Sequence, residues 1–94
     1  MAEENEGTFI VTITSPIPGQ ILQGNEDVNF KATAKGGKEP YTYSWNSNID
    51  GVLSTESSFL QNPSNLIKGH HTIILMATDA RGITSQGCVT IEVM

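Results

Sequence analysis

The chain has 94 residues, 37% of them hydrophobic, a length that suits one small domain whose core needs neither a disulfide nor a metal. Ten acidic and five basic residues give a formal net charge of −5, and so few scattered bases cannot form the positive surface that nucleic acids require. No run of about 18 apolar residues occurs, so we expect no direct insertion into a membrane.

The acidic residues are concentrated at the N-terminus, where Glu3, Glu4 and Glu6 precede any apolar pattern. We expect residues 1–7 to form a disordered acidic tail and residues 8–94 to form a single domain. The tail has neither a basic nor an apolar segment and therefore does not read as a signal peptide. The single cysteine, Cys88, predicts a fold without an intramolecular disulfide.

Alternation of apolar and polar residues with period two predicts β-strands that each bury one face. In chain order, the long strands are expected at residues 9–14, 28–35, 41–46, 72–78 and 88–94. Shorter edge strands are expected near residues 21–22, 52–53 and 58–61. No segment keeps a helical period for three turns.

Segments rich in glycine, proline, asparagine and aspartate separate these runs and predict turns. They are residues 15–19, 36–40, 48–51, 62–65 and 79–82, and the segment 36–40 is expected to link two neighbouring strands. About seven short strands with frequent turns predict an all-β, immunoglobulin-like sandwich of antiparallel strands with Greek-key connections.

Three sequence motifs carry a resemblance to a known class of module. They are PYTYSW (40–45) followed by DG (50–51), then LxxGxHTIxLxATDxxG (66–82), and finally VTIEV (89–93). Through these residues the chain resembles the immunoglobulin-like and PKD-like modules found in tandem in bacterial and archaeal surface proteins and secreted hydrolases. The segment after Trp45 departs from the PKD-type stretch Trp-Asp-Phe-Gly-Asp-Gly, so the chain is more similar to the general microbial immunoglobulin-like type.

The resemblance implies a non-catalytic structural, spacer or adhesion module of a larger extracellular or cell-surface protein. Its partners would be adjacent modules of the same parent chain, with a glycan or a surface protein as further candidates, and the isolated module would be a monomer. The export signal would lie outside this sequence. The matched positions imply core and corner roles: Trp45 between the sheets, His71 as a side-chain anchor to backbone and Asp79 as an acceptor in a hairpin. The other implied core residues are Phe30, Tyr43 and Leu75.

Catalytic and zinc chemistry find little support in the sequence. The two histidines, His70 and His71, are adjacent and would point to opposite sides of an extended strand. No nucleophile stands in a recognisable motif beside a base, which predicts that the chain is not an enzyme. A zinc site would need three or four converging ligands, and these histidines with Asp79 do not supply them.

Two kinds of ligand remain open as alternatives. Calcium could rigidify the module through loop oxygens at Asn46, Asn48 and Asp50, or at Glu26 and Asp27, although turn formation is the favoured explanation of these residues. A carbohydrate or protein could bind the loops 36–40 and 46–51 at one end of the sandwich. Of the six aromatic residues only Tyr41 is expected to be exposed, and a single ring is a weak platform for a glycan. No cofactor is predicted.

Apolar residues at outward strand positions form a candidate interaction surface. By the phase of their strands, these residues are Ile10, Ile74, Met76 and Cys88. They would form one patch if their strands were neighbours in a single sheet. The alternative is that isolated apolar residues on a sheet surface have no binding role.

Overall fold

Eight β-strands in two sheets provide almost all of the regular structure. The computed structural model describes residues 8–94, so the expected N-terminal tail lies outside the described residues. The strands are β1 (Ile10–Ser15), β2 (Gln20–Leu22), β3 (Val28–Lys35), β4 (Thr42–Ser47), β5 (Gly51–Ser54), β6 (Ser58–Gln61), β7 (Gly69–Thr78) and β8 (Thr84–Val93). One turn of 3-10 helix covers Pro63–Asn65, and none of the described helical segments has the length or apolarity to cross a membrane.

The two sheets have three and five strands, in the orders β1-β3-β6 and β2-β8-β7-β4-β5. Hairpins join only β4 to β5 and β7 to β8, and every other connection passes from one sheet to the other. The fold is an immunoglobulin-like Greek-key β-sandwich, as the sequence predicts. Two details differ from the prediction: β2 pairs with β8 in parallel, and the segment 36–40 links strands of different sheets.

The two longest strands begin earlier than the apolar alternation indicates. β8 starts at Thr84, four residues before the expected start. The apolar alternation does not show this part of the strand, because its first inward positions are the small residues Ser85 and Gly87. These small residues face β1, where the amide of Val11 donates to the Ser85 hydroxyl at 3.2 Å. A Cβ on Gly87 would lie 3.5 Å from Ile13 Cγ1. β1 therefore fills the space that large side chains would otherwise occupy along this part of β8.

Three aromatic rings join the sheets at the centre of the core. Trp45 on β4 is fully buried and packs edge-on against Phe30 on β3 and Phe59 on β6, with ring centroids 5.9 and 5.4 Å apart. Phe30 and Phe59 are themselves 4.9 Å apart. The Trp45 indole N–H donates to the carbonyl of Glu56 at 2.7 Å, which satisfies its polar atom inside the core. Leu75, also fully buried, lies opposite Trp45 on β7.

A second packing centre lies where the chain enters the sandwich. Phe9 stacks on Tyr41 with centroids 5.2 Å apart, and the Tyr41 hydroxyl donates to the carbonyl of Gly36 at 2.7 Å. Gly37 has φ +65°, and a Cβ there would lie 2.9 Å from both Asp79 Oδ2 and Phe9 Cδ1. Only glycine suits this position, because both its backbone angle and its surroundings exclude a side chain.

We predict that Gly37→Ala destabilises the fold more than Gly24→Ala does. Gly24 has φ +84° and a Cβ added there would meet no atom within 4 Å, so its replacement costs only the left-handed backbone, about 1–2 kcal/mol. Gly37→Ala adds overpacking worth roughly a further 1–3 kcal/mol. Urea unfolding measures both variants, and equal losses of stability would contradict the packing argument.

Candidate functional site

Exposed apolar side chains lie side by side on the outer face of the five-stranded sheet. Ile74 on β7 is directly opposite Cys88 on β8 and Asn46 on β4, and Asn46 is in turn opposite Val52 on β5. Met76 lies on the same face, two residues along β7. We call these five residues the outer-face row. Val52 is 66% exposed, Ile74 39% and Met76 38%, so the row is accessible across four strands, with the polar, half-buried Asn46 between Ile74 and Val52.

The structure separates Ile10 from the other residues of the candidate surface. Ile10 is 45% exposed, but it lies on β1 in the three-stranded sheet, on the opposite side of the sandwich. Its cross-strand neighbour is Lys35. The expectation that Ile10 shares a patch with Ile74, Met76 and Cys88 is therefore wrong. The sequence did not reveal Val52 as a member, because its contact with the row depends on strand order.

Uncharged polar residues surround the outer-face row. Ser44 and Gln86 flank Met76 on the neighbouring strands, and Thr72 pairs with Thr90 on the other side of Ile74. Charge appears only at one end, where His70 Nδ1 lies 4.0 Å from Glu92 Oε1 beside an open groove of about 250 Å³. This surface suits contact with another uncharged, partly apolar surface rather than with a highly charged ligand.

A buried serine–histidine pair lies beneath the outer-face row. The sequence predicts His71 as an anchor to backbone, but it does not predict the contact of His71 with Ser47. Ser47 Oγ is 2.7 Å from His71 Nδ1, and both residues are buried. The other ring nitrogen of His71 contacts the carbonyl oxygen of Ile67. Since a carbonyl can only accept, Nε2 carries the proton and Nδ1 accepts from the Ser47 hydroxyl. Strand order creates this pair by placing β4 beside β7.

The arrangement of this pair suits a structural corner and not nucleophilic catalysis. Ser47 Oγ also accepts hydrogen bonds from the amides of Ile49 and Asp50, both at 3.1 Å. Asp50 Oδ2 lies 3.9 Å from Nδ1, on the same ring nitrogen as the serine, whereas a hydrolytic triad places serine and carboxylate on opposite nitrogens. The Ser47 oxygen is buried and already makes three hydrogen bonds.

Two of the oxygen donors considered for calcium, Asn48 and Asp50, are engaged in loop hydrogen bonds. Asn48 Oδ1 accepts from the Thr72 amide at 2.8 Å, and Asp50 Oδ2 accepts from the Ile67 amide at 3.0 Å. The side chain of Asn46 donates to Ser44 Oγ on the sheet surface. Across residues 8–94, no three His, Cys, Asp or Glu side chains converge as a metal site would require.

The residues considered for zinc lie far apart. His70 points outward and His71 inward, while Asp79 follows the far end of the ten-residue strand β7. The aromatic residues are buried or half-buried. All six lie in the described part of the chain and none of them is exposed, including Tyr41, which was expected to be accessible. The structure therefore brings together neither the zinc candidates nor a flat aromatic platform for a sugar.

Asp79 organises the turn between β7 and β8. Its Oδ1 accepts from the amides of Arg81 and Ile83 at 2.9 and 3.0 Å, and its Oδ2 accepts from the Lys38 amide at 3.1 Å. Arg81 NH2 approaches the same carboxylate at 2.7 Å. Burial alone would raise the pKa of Asp79, but the Arg81 side chain and these amides outweigh it and lower the pKa below its ordinary value.

The comparisons with known proteins support the fold. No protein-family model and no curated protein sequence matches the chain. Among solved structures, the chain is similar to the fibronectin(III)-like modules of CbhA from Clostridium thermocellum, with 20% identity, a TM-score of 0.65, and coverage of 88% of this chain and 94% of that one.

Two larger proteins contain a similar region. An endo-beta-1,4-mannanase from Thermotoga petrophila matches with 16% identity and a TM-score of 0.73 over 93% of this chain. A quinonprotein alcohol dehydrogenase-like protein from Bacteroides thetaiotaomicron matches with 18% identity and a TM-score of 0.64 over 85% of this chain. This chain spans only 20% and 19% of their lengths, and these low identities establish a shared fold alone.

We predict that protonation of Asp79 destabilises the fold in acid. Because its folded pKa is lowered, its stabilising contribution is complete above about pH 4 and is lost as the pH falls through the folded pKa. Asp79→Asn should be less stable at pH 7 and should flatten this acid dependence, which urea unfolding from about pH 2 to 7 measures. Asp27→Asn, on the exposed loop before β3, is the control, since it removes a carboxylate without touching the hairpin. An unchanged acid dependence in Asp79→Asn would refute the assignment.

Proposed function

We propose that the chain is a non-catalytic structural or spacer module of a larger extracellular or cell-surface protein. The observation that carries this proposal is the direction of its first and last strands. β1 begins beside the turn that joins β7 to β8, since Val11 contacts Ser85. β8 ends at the other pole, where Val93 is opposite both Gly69 and Leu22. The chain thus enters at one end of the sandwich and leaves at the other.

This arrangement suits a module that holds its neighbours apart. β8 has ten residues, which corresponds to about 30 Å of extended chain. Pulling the two ends apart slides β2 along β8, so the force is shared by all the hydrogen bonds of this parallel pair. The fibronectin(III)-like modules of CbhA support the same role by analogy of fold. The motif at 66–82 supports the resemblance to microbial immunoglobulin-like and PKD-like modules.

The hydrogen bonding of the buried polar side chains supports a non-catalytic function. Ser47, His71 and Asp79 are the buried polar residues, and each is held by hydrogen bonds to backbone or to one another. No buried side-chain nitrogen or oxygen in the described residues lacks a partner. These hydrogen bonds give all three side chains a structural role in the sandwich.

We predict that a tandem of two copies, with residue 94 joined directly to residue 8 of the next, forms an elongated particle. Each added copy should lengthen the particle by about 30 Å or more, because entry and exit lie at opposite poles. Small-angle X-ray scattering measures the maximum dimension of one, two and three copies. A second copy that adds no length would contradict the spacer function.

Ligand binding by the isolated domain separates the spacer from the alternatives. A glycan array and a thermal melt with calcium or chelator should both be silent, since a ligand bound only to the folded state raises its stability. Binding to a glycan would instead support recognition through the loops 36–40 and 46–51. A melting temperature raised by calcium would support a calcium-rigidified linker.

A second candidate function is adhesion to an adjacent module through the outer-face row. The exposed, neighbouring side chains of Ile74, Met76 and Cys88 favour it, with Val52 beyond Asn46. Ile74→Thr should then weaken binding of the flanking module of the parent chain roughly tenfold, as measured by calorimetry. Ile10→Thr, on the opposite sheet, is the matched control. Unchanged affinity in Ile74→Thr would count against this function.

A further inference from the structure

The hydrogen bonds around His71 use every donor and acceptor of the Ser47 hydroxyl. A serine hydroxyl has one proton and two lone pairs. The lone pairs of Ser47 Oγ accept from the amides of Ile49 and Asp50, both at 3.1 Å. Its proton therefore goes to Nδ1 of His71, which is 2.7 Å away. On the other side of the ring, Nε2 donates to the carbonyl of Ile67.

This pattern of hydrogen bonds fits the neutral imidazole alone. A second ring proton would lie on Nδ1 of His71 and point at Ser47 Oγ, whose own proton occupies the same contact. The serine oxygen could accept the new N–H only by giving up one of the two loop amides that it holds. The corner therefore accommodates the uncharged ring, because one added proton sets two donors against each other.

The surroundings of His71 offer no opposite charge within hydrogen-bonding distance. Its side chain has no exposed surface, and its cross-strand neighbour on β8 is the buried Ile91. Asp50 is the carboxylate that faces the ring, but its Oδ2 lies 3.9 Å from Nδ1 and already accepts from the Ile67 amide at 3.0 Å. The other titratable side chains of the adjacent segments lie on the surface of this pole and are Glu26, Asp27, Lys68, His70 and Glu92.

The same hydrogen bonds join two segments that lie apart in sequence. Residues 48–50 link β4 to β5, and residues 66–68 lead into β7. Ser47 holds the first segment by its amides, His71 holds the second by the Ile67 carbonyl, and Asp50 connects the two directly. Both segments lie at the pole where the chain leaves the sandwich, since the start of β7 pairs with the end of β8.

We propose that the His71 corner is a pH-sensitive switch. The neutral ring holds residues 48–50 and 66–68 together, and protonation of the ring in mild acid releases them. The proton comes from solvent and is added to Nδ1, so Ser47 must give up a loop amide or Asp50 must leave the Ile67 amide to approach the new N–H. Histidine is the residue whose charge ordinarily changes between about pH 5 and 8, which places the release in that range.

The second polar corner gives the chain an internal reference that the same acid does not affect. Asp79 holds the amides of Arg81 and Ile83 at the opposite pole, and its lowered pKa keeps this carboxylate charged at about pH 5. Mild acid should therefore loosen one pole and leave the other intact. In the spacer that we propose, the loosened pole carries the connection to the following module. That consequence rests on the proposed function, whereas the switch itself belongs to the single domain.

Nuclear magnetic resonance on the unmodified, ¹⁵N-labelled chain tests the switch without a variant. At about pH 7.5 the imidazole nitrogens of His71 should show a proton on Nε2 and none on Nδ1. Between about pH 7.5 and 5, the exchange protection of the Ile49, Asp50 and Ile67 amides should fall roughly tenfold after correction for the intrinsic exchange rate. The amides of Arg81 and Ile83 should keep their protection.

Two histidine variants form a matched pair. His71→Gln keeps a donor and an acceptor in the corner but cannot titrate, so protection of the three amides should no longer depend on pH. His70→Gln removes the exposed neighbour on the outer face and should respond to acid as the parent does.

The proposal is overturned if the three amides of the unmodified chain stay equally protected at both pH values, whether or not the ring is charged. A proton on Nδ1 at about pH 7.5 also overturns it, as does an unchanged acid response in His71→Gln. Loss of the response in His70→Gln would assign the effect to the outer face and reject the His71 corner. None of these outcomes bears on the length of tandem copies, which tests the spacer function separately.

Discussion

The contact of Trp45 with Phe30 and Phe59 is the interaction on which the rest of the sandwich depends. The three-stranded sheet contains no hairpin, so its strands are held together by their pairing and by packing against the five-stranded sheet. The aromatic cluster supplies that packing at the centre. By donating to the Glu56 carbonyl, Trp45 also fixes the segment that carries the chain from β5 to β6.

Two polar corners, one at Asp79 and one at His71, hold the loops of the sandwich together by hydrogen bonds. These corners engage the buried titratable side chains. Asp79 ties the turn after β7 to Lys38 on the crossover from β3, and Gly37 makes room for that contact. His71 ties β7 to Ser47 on β4 and to the chain at Ile67. Each corner joins segments distant in sequence, so its hydrogen bonds stabilise the Greek-key connections.

The other surface features lie on different parts of the sandwich, according to the positions of their strands. The outer-face row crosses the middle of the five-stranded sheet, where Ile74 and Cys88 are neighbours because β7 and β8 form a long hairpin. Entry and exit of the chain lie at the two poles. In the function that we propose, the chain connects its neighbours along its length and keeps the outer faces of its sheets available for lateral contact.

By itself, the sequence determined the sandwich, the long strands and the inward-facing aromatic residues, because a period of two and turn residues are local signals. It also placed His70 and His71 on opposite faces. Only the tertiary structure decided which strands are neighbours. Strand order moved Ile10 to the opposite sheet, added Val52 to the row, brought Ser47 to His71 and left β6 at an edge. These are non-local pairings, and a local pattern carries no record of which strand will lie beside it.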